Sequence, residues 1–196
     1  MKNLLFLLIV LLSGFSINAQ EEPTDSEKRM EKFATAKRNE LSLDVYALLA
    51  VPALNLRYER ILGRFSGLGI DLFISFDNND DLINYSEIEN FSLTPYFRQY
   101  FFSKEDFGAK GFYAEGFIKF FTFDGEVFNP VTNDFVLDSF FETAIGFGIG
   151  WKWINRNGFL VDLGFGFGRN IGIDGNPEEF DNDFQPRGGL HFGWRF

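Results

Sequence analysis

The 196-residue chain contains no cysteine. That absence excludes disulfides, thiolate metal sites, cysteine nucleophiles and lipid attachment through an N-terminal cysteine. Histidine occurs once, as His191, so a catalytic set that needs histidine has a single place to form. Basic residues are scarce, 18 against 28 acidic ones, and the net charge of −10 makes nucleic acid an unsuitable partner. After Leu12 no apolar run approaches the length of a spanning helix, which needs about 20 residues. Membrane residence, if the chain has it, must therefore come from strands.

The N-terminus carries Lys2, an apolar run from Leu4 to Leu12, then Ser13-Gly14 and a small residue, Ala19, before Gln20. This order predicts a cleavable export signal over residues 1–19. As a membrane anchor the run is too short and is broken by Ser13 and Gly14. Its removal takes away only Lys2 and leaves 17 basic residues against 28 acidic ones. Residues 20–39 are charged, with Met30 and Phe33 as their few apolar anchors, and are expected to form a periplasmic lead-in. Residues 40–196 are the size of one domain.

The chain has 28 phenylalanines and 20 glycines, nearly all of them in that domain, and its hydrophobic period is two. The alternation predicts eight strands, over 41–50, 53–62, 65–77, 90–102, 110–123, 139–153, 158–170 and 186–196. An even count suits an antiparallel up-and-down barrel with both ends on one side. The connections agree in parity: the third (78–89), fifth (124–138) and seventh (171–185) are long, while the second and sixth are tight. Two connections depart from the pattern, the short first one at Val51-Pro52 and the middling fourth one over 103–109.

Alternation alone does not say which face is inside, because soluble barrels alternate too. The polar face decides it. It includes Ala144, Gly146, Gly148, Gly150, Gly164, Gly166 and Gly168, and a solvated face is seldom built of glycine, whereas a crowded eight-stranded interior has room for little else beside long polar chains. The same period turns inward Asp44, Glu59, Asp71, Glu115, Glu142 and Asp162, and with them Arg57, Arg98, Lys119, Lys152, Arg187 and Arg195. Buried charges are tolerable when paired, so the balanced set predicts a salt-bridged filling that closes the lumen. Phe73, Phe102 and Phe117 fall inward against the pattern. The opposite face, for example Leu68-Ile70-Leu72-Ile74 and Phe141-Thr143-Ile145-Phe147-Ile149, reads as a lipid-facing belt. Phe65, Phe101, Phe112, Trp151, Trp153, Phe159, Trp194 and Phe196 are expected to gather at the periplasmic rim, where aromatic rings favour the headgroup boundary.

With these features the chain resembles the small eight-stranded outer-membrane barrels of the OmpA/OmpX type. Tyr58-Glu59-Arg60, Leu93-Thr94-Pro95-Tyr96-Phe97-Arg98, Gly111-Phe112-Tyr113-Ala114-Glu115-Gly116 and Pro186-Arg187-Gly188-Gly189 also resemble a family of secreted Gram-negative barrel proteins with a domain of unknown function. The resemblance spans residues 38–196 and rests on strand segments, so it implies an all-β transmembrane barrel in the outer membrane and no particular chemistry.

Candidate chemistry is thin. Lipid-modifying barrel enzymes need a histidine, serine and acid near the membrane edge. His191 faces inward between Gly189 and Gly193, without a serine two residues away, and is expected to serve as a hydrogen-bond donor in the lumen. The glycine runs at 146–150 and 164–168 lack the strand-turn-helix setting and the lysine of a nucleotide loop. The three long outward connections, with Asp77 at the edge of the first of them, hold fourteen carboxylates and no lysine or arginine. Asp174, Glu178, Glu179, Asp181 and Asp183 would hold calcium weakly, or remain solvated, since their spacing is not that of an EF-hand. The expected protein is a closed barrel with a structural or surface-interaction role, with no cofactor and no enzyme activity; a narrow channel and a lipid-modifying enzyme are the alternatives. The expected partners are outer-membrane lipid and lipopolysaccharide, the barrel-assembly machinery through the C-terminal strand, and a protein at the acidic connections.

Overall fold

The computed structural model describes residues 36–50, 52–76, 89–101, 108–129, 133–171 and 184–196, with positions 25, 28 and 32. Eight antiparallel strands close into a barrel in chain order: β1 (Asn39–Asp44), β2 (Ala53–Ile61), β3 (Ser66–Ser75), β4 (Glu89–Tyr100), β5 (Gly111–Asn129), β6 (Asp134–Ile154), β7 (Phe159–Asn170) and β8 (Phe184–Arg195). The first strand closes on the last through Glu40↔Arg195 to Asp44↔His191.

Two elements differ from the alternation pattern. The expected strand over 41–50 is a strand only to Asp44; Val45–Ala50 is a helix, α1. Its residues, Val45-Tyr46-Ala47-Leu48-Leu49-Ala50, are apolar without alternation and rich in helix formers. Asp44 caps it, its Oδ1 accepting from Tyr46 N at 2.8 Å and Ala47 N at 3.3 Å. This helix is the short first connection.

The fifth connection is likewise no loop over most of its length. β5 and β6 stay paired out to Asn129↔Asp134, whereas β4 leaves β5 at Phe123 and β7 leaves β6 at Ala144. A two-stranded ribbon thus rises above its neighbours, with Ser139 Oγ donating to Asp124 Oδ1 at 2.5 Å across it.

At the other end the turns are short and shaped by backbone. Gly158, at φ 94, sits where an added Cβ would lie 2.5 Å from Arg195 O. At the end of the fourth connection Ala109 is fully buried with Ile61, Tyr100 and Tyr113.

Candidate functional site: an ion-paired lumen and an apolar outer face

Glycine makes the lumen possible. A Cβ at Gly150 would lie 2.2 Å from Tyr113 Oη, and one at Gly146 would lie 2.3 Å from Phe117 Cζ. The bare wall of β6 and β7 therefore admits two aromatic rings from β5, and these pack beside the charges.

Arg98 is the hub. Its Nη1 donates to Glu59 Oε2 at 2.9 Å and to Asp162 Oδ2 at 2.6 Å, and its Nε donates to Glu115 Oε2 at 2.8 Å. Tyr96 and Tyr113 flank it, their ring centroids 4.7 and 4.0 Å from the guanidinium carbon, a cation–π arrangement strengthened by burial. Arg57 forks onto Asp71 with two bonds of 2.8 Å and reaches Asp162 at 3.0 Å. Arg187 pairs with Asp71 and Glu115. Lys152 donates to Glu40 at 2.6 Å, to Glu59 at 2.9 Å and to the Tyr100 hydroxyl at 2.5 Å.

The terminus end is sealed by Arg195, which is fully buried. Its Nε donates to Glu40 Oε1 at 2.6 Å, and its two Nη atoms donate to the carbonyls of Gly108 and Ala109 at 3.0 Å each. Charge-assisted bonds to backbone satisfy carbonyls that a turn folded into a barrel mouth would otherwise bury alone. At the opposite end Lys119 pairs with Glu89.

All thirteen residues expected in the lumen lie on its inner face, and eleven are buried; Arg187 and Glu142 are partly exposed. Not all of them act as expected. Among the described residues Asp44 serves α1 and has no cation partner, and Glu142 Oε2 is buried without a hydrogen-bond partner. His191 is fully buried, yet neither ring nitrogen has a hydrogen-bond partner among those residues. The expected donor role is not seen among the described residues: the adjacent Asp44 accepts through Oδ1 from the amides of α1 and from Leu190 N, and not from the imidazole.

Several participants were not anticipated. Glu40 falls one residue before the expected first strand, and Glu89 was read as part of an acidic loop. Tyr96, Tyr100 and Tyr113 donate to Glu59, Glu59 and Asp162 at 3.3, 2.5 and 2.7 Å. Their inward period was legible, since 96, 98 and 100 alternate with outward Phe97.

The outer face is apolar on every strand. Leu41, Tyr58, Leu68, Ile70, Phe91, Phe97, Ile118, Ile145, Phe147, Ile149, Leu163, Phe165 and Phe167 are exposed, with Phe147 at 71%. Thr143 departs from the expected belt; it lies opposite Phe120 and is buried. At the terminus end Trp151 and Trp153 stand 6.2 Å apart, Phe159 meets Trp194 edge-on at 5.0 Å, and Phe101 lies 5.9 Å from Phe112. Phe196 and Phe65 are exposed at the same end. Phe73 and Phe117 are inward as expected.

Phe102 and the acidic set Asp174, Glu178, Glu179, Asp181 and Asp183 lie outside the described residues. Among the described residues no group of three histidines or carboxylates is arranged to hold a metal. The lumen as built can neutralise and immobilise charge, and the outer face can be buried against an apolar medium. Compared with family models, with curated proteins and with solved structures, the chain matches none of them.

Proposed function

We propose that the chain is an outer-membrane β-barrel of a Gram-negative bacterium, of the OmpA/OmpX-like kind, that acts as a closed structural and surface-interaction protein. The observation that carries the reading is the continuous apolar outer face wrapped around an ion-paired lumen. A soluble monomer rarely exposes a contiguous apolar patch beyond a few hundred Å². Here the exposed apolar side chains recur on all eight strands, and strands of 9–12 residues, such as β2, β4 and β7, suit a tilted bilayer crossing.

The aromatic cluster at the terminus end supports an orientation with that end periplasmic and the long connections outward. The ribbon of β5 and β6 then projects from the cell surface carrying Asp124, Glu126, Asp134 and Asp138. A one-sign surface of this kind suits a basic protein partner, or lipopolysaccharide bridged through divalent cations. The aromatic-ended β8 suits delivery to the barrel-assembly machinery.

The test is refolding of residues 20–196 into phosphatidylcholine vesicles. The expected barrel floats with the vesicles, migrates faster before boiling than after, and gives no stable conductance in planar bilayers. Recovery as a soluble monomer would sink the membrane assignment, and steady ohmic currents would sink closure.

A further inference from the structure

The barrel is not laced along its whole height. The β1–β8 ladder ends at Asp44↔His191, while β8 continues along β7 to Phe184. On the other side, β2 continues along β3 to Ala53, beyond its last β1 pair at Leu43↔Leu56. Between β8 and β2 there is consequently a seam in which α1 stands in place of a strand, packed against both.

The edge left by β8 has a definite chemistry. Asn39 and Phe196 exchange both backbone bonds, whereas Arg195 N bonds Gly158 O on the β7 side. Alternation then turns the backbone groups of even-numbered β8 residues toward the seam. Pro186, which has no N–H to lose, occupies one of these positions, as proline does on a free edge. Leu190 N is taken by Asp44 Oδ1 at 3.4 Å, which leaves Gly188 as the next seam-facing amide. Gly188 pairs with Phe165 and Pro186 with Phe167, so this edge lies within the exposed apolar belt.

Polar side chains without partners stand on both sides of the same seam. His191 is buried with both ring nitrogens unpartnered, and Asn55 Oδ1, on the stretch of β2 beyond β1, is buried and unpartnered among the described residues. A buried polar group in this condition costs free energy that a ligand would recover. At the entrance Gly188 and Gly189 have no side chain of their own, and the carboxylate of Asp44, the residue that caps α1, stands against Gly189. α1 itself presents Tyr46, Leu48 and Leu49 outward and buries Ala47, as a plug facing lipid would.

We propose that this seam is a lateral binding site for an ester-linked acyl lipid, with α1 as the plug that gives way to it. The chain lies along the β8–β2 edge within the belt, and the ester oxygens accept hydrogen bonds from Gly188 N–H and from the His191 imidazole. The proposal rests on the membrane reading above.

Because the chain lacks cysteine, single thiols report on it without background. His191→Cys places a thiol at the inner end of the seam, and Phe165→Cys places one on the belt. Each variant, refolded in phosphatidylcholine vesicles, is treated with N-dodecylmaleimide, whose imide carbonyls mimic the ester, or with a sulfonated maleimide that stays in water. Position 191 should react with the alkyl reagent alone. Adding Asp44→Ala should speed that reaction about fivefold, the population shift expected from loss of one helix cap. If that double variant does not fold, Leu48→Gly loosens α1 instead and should act in the same direction.

Labelling of position 165 but not 191 by the alkyl reagent, in both backgrounds, overturns the seam site and leaves the membrane reading intact. Reaction of position 191 with the sulfonated reagent means an open aqueous lumen and also overturns it. Reaction of position 165 with the sulfonated reagent removes the membrane reading, and the seam site with it.

Discussion

Toward the turn at Gly108–Ala109 the lumen is densely bonded: Arg98 touches Glu59, Asp162 and Glu115, Lys152 touches Glu40, Glu59 and Tyr100, and Arg195 spans Glu40 and two carbonyls. Toward α1 the same barrel carries Asn55, Glu142, Thr143 and His191 with buried polar atoms that find no partner among the described residues. Its packing there is aromatic, with Phe121, Phe123 and Phe140 clustered beside Ala144. One sequence thus builds a heavily bonded half, in which Arg98 Nη2 has no partner among the described residues, and a half with more spare bonding capacity. Stability is expected to reside in the first and adjustment in the second, since rearrangements draw on regions of low local stability.

The sharpest way to break this contrast is Arg98→Ala. It removes the hub and leaves Glu59, Glu115 and Asp162 short of a cation in a buried site. Losing one partner of a buried pair costs about 3–5 kcal/mol. The urea midpoint of the vesicle-refolded barrel should fall accordingly, and an unchanged midpoint would mean that the network contributes no net stability.

Gly150→Ala should come next. Its methyl would meet Tyr113 Oη at 2.2 Å and Leu163 O at 2.6 Å, and the backbone oxygen cannot step aside. Overpacking of this kind costs about 1–3 kcal/mol. Gly116→Ala, where an added Cβ meets nothing within 4 Å, is the control and should leave the midpoint in place.

Much of this architecture was legible in the sequence. The strand count, the parity of the connections and the inward charges followed from one rule, bulky apolar residues alternating with glycine and charge. The rule failed where a second physical preference overrode it. Val45 to Ala50 continues the apolar character but not the alternation, and Asp44, counted only as a lumen charge, is the cap that starts a helix. Asp124, Glu126, Asp134 and Asp138 gave the fifth connection the composition of a loop, although backbone pairing carries on through it to Asn129↔Asp134. The tyrosines were hidden by chemistry: a residue with an apolar ring and a polar tip satisfies either face, and only Glu59 and Asp162 opposite them show that the hydroxyls are used. What the lumen charges bond to was legible least, because pairing such as Lys152 with Glu40 joins residues 112 apart in the chain.

Asp44→Ala tests the boundary between the halves. It removes one helix cap and an acceptor for Leu190 N, with an expected loss of about 1 kcal/mol. The lumen hub has no bond to Asp44, so the loss should add to that of Arg98→Ala in the double variant. Strong non-additivity would mean that the two halves unfold as one coupled network.

The smallest effect belongs to His191→Leu, and its sign is the informative part. If His191 were a donor in the network, its removal would strand an acceptor and cost stability. With both nitrogens unpartnered among the described residues, it instead carries a desolvation cost that no hydrogen bond there offsets. Leucine fills a similar volume without polar atoms, and such a replacement of an unsatisfied group is close to neutral or stabilising. The urea midpoint of His191→Leu should therefore stay level or rise in vesicles. A fall of more than about 1 kcal/mol, the net worth of an ordinary hydrogen bond, would show that the imidazole is bonded in the folded barrel. The distinction between a heavily bonded half and one with more spare bonding capacity would then have to be redrawn above residue 191.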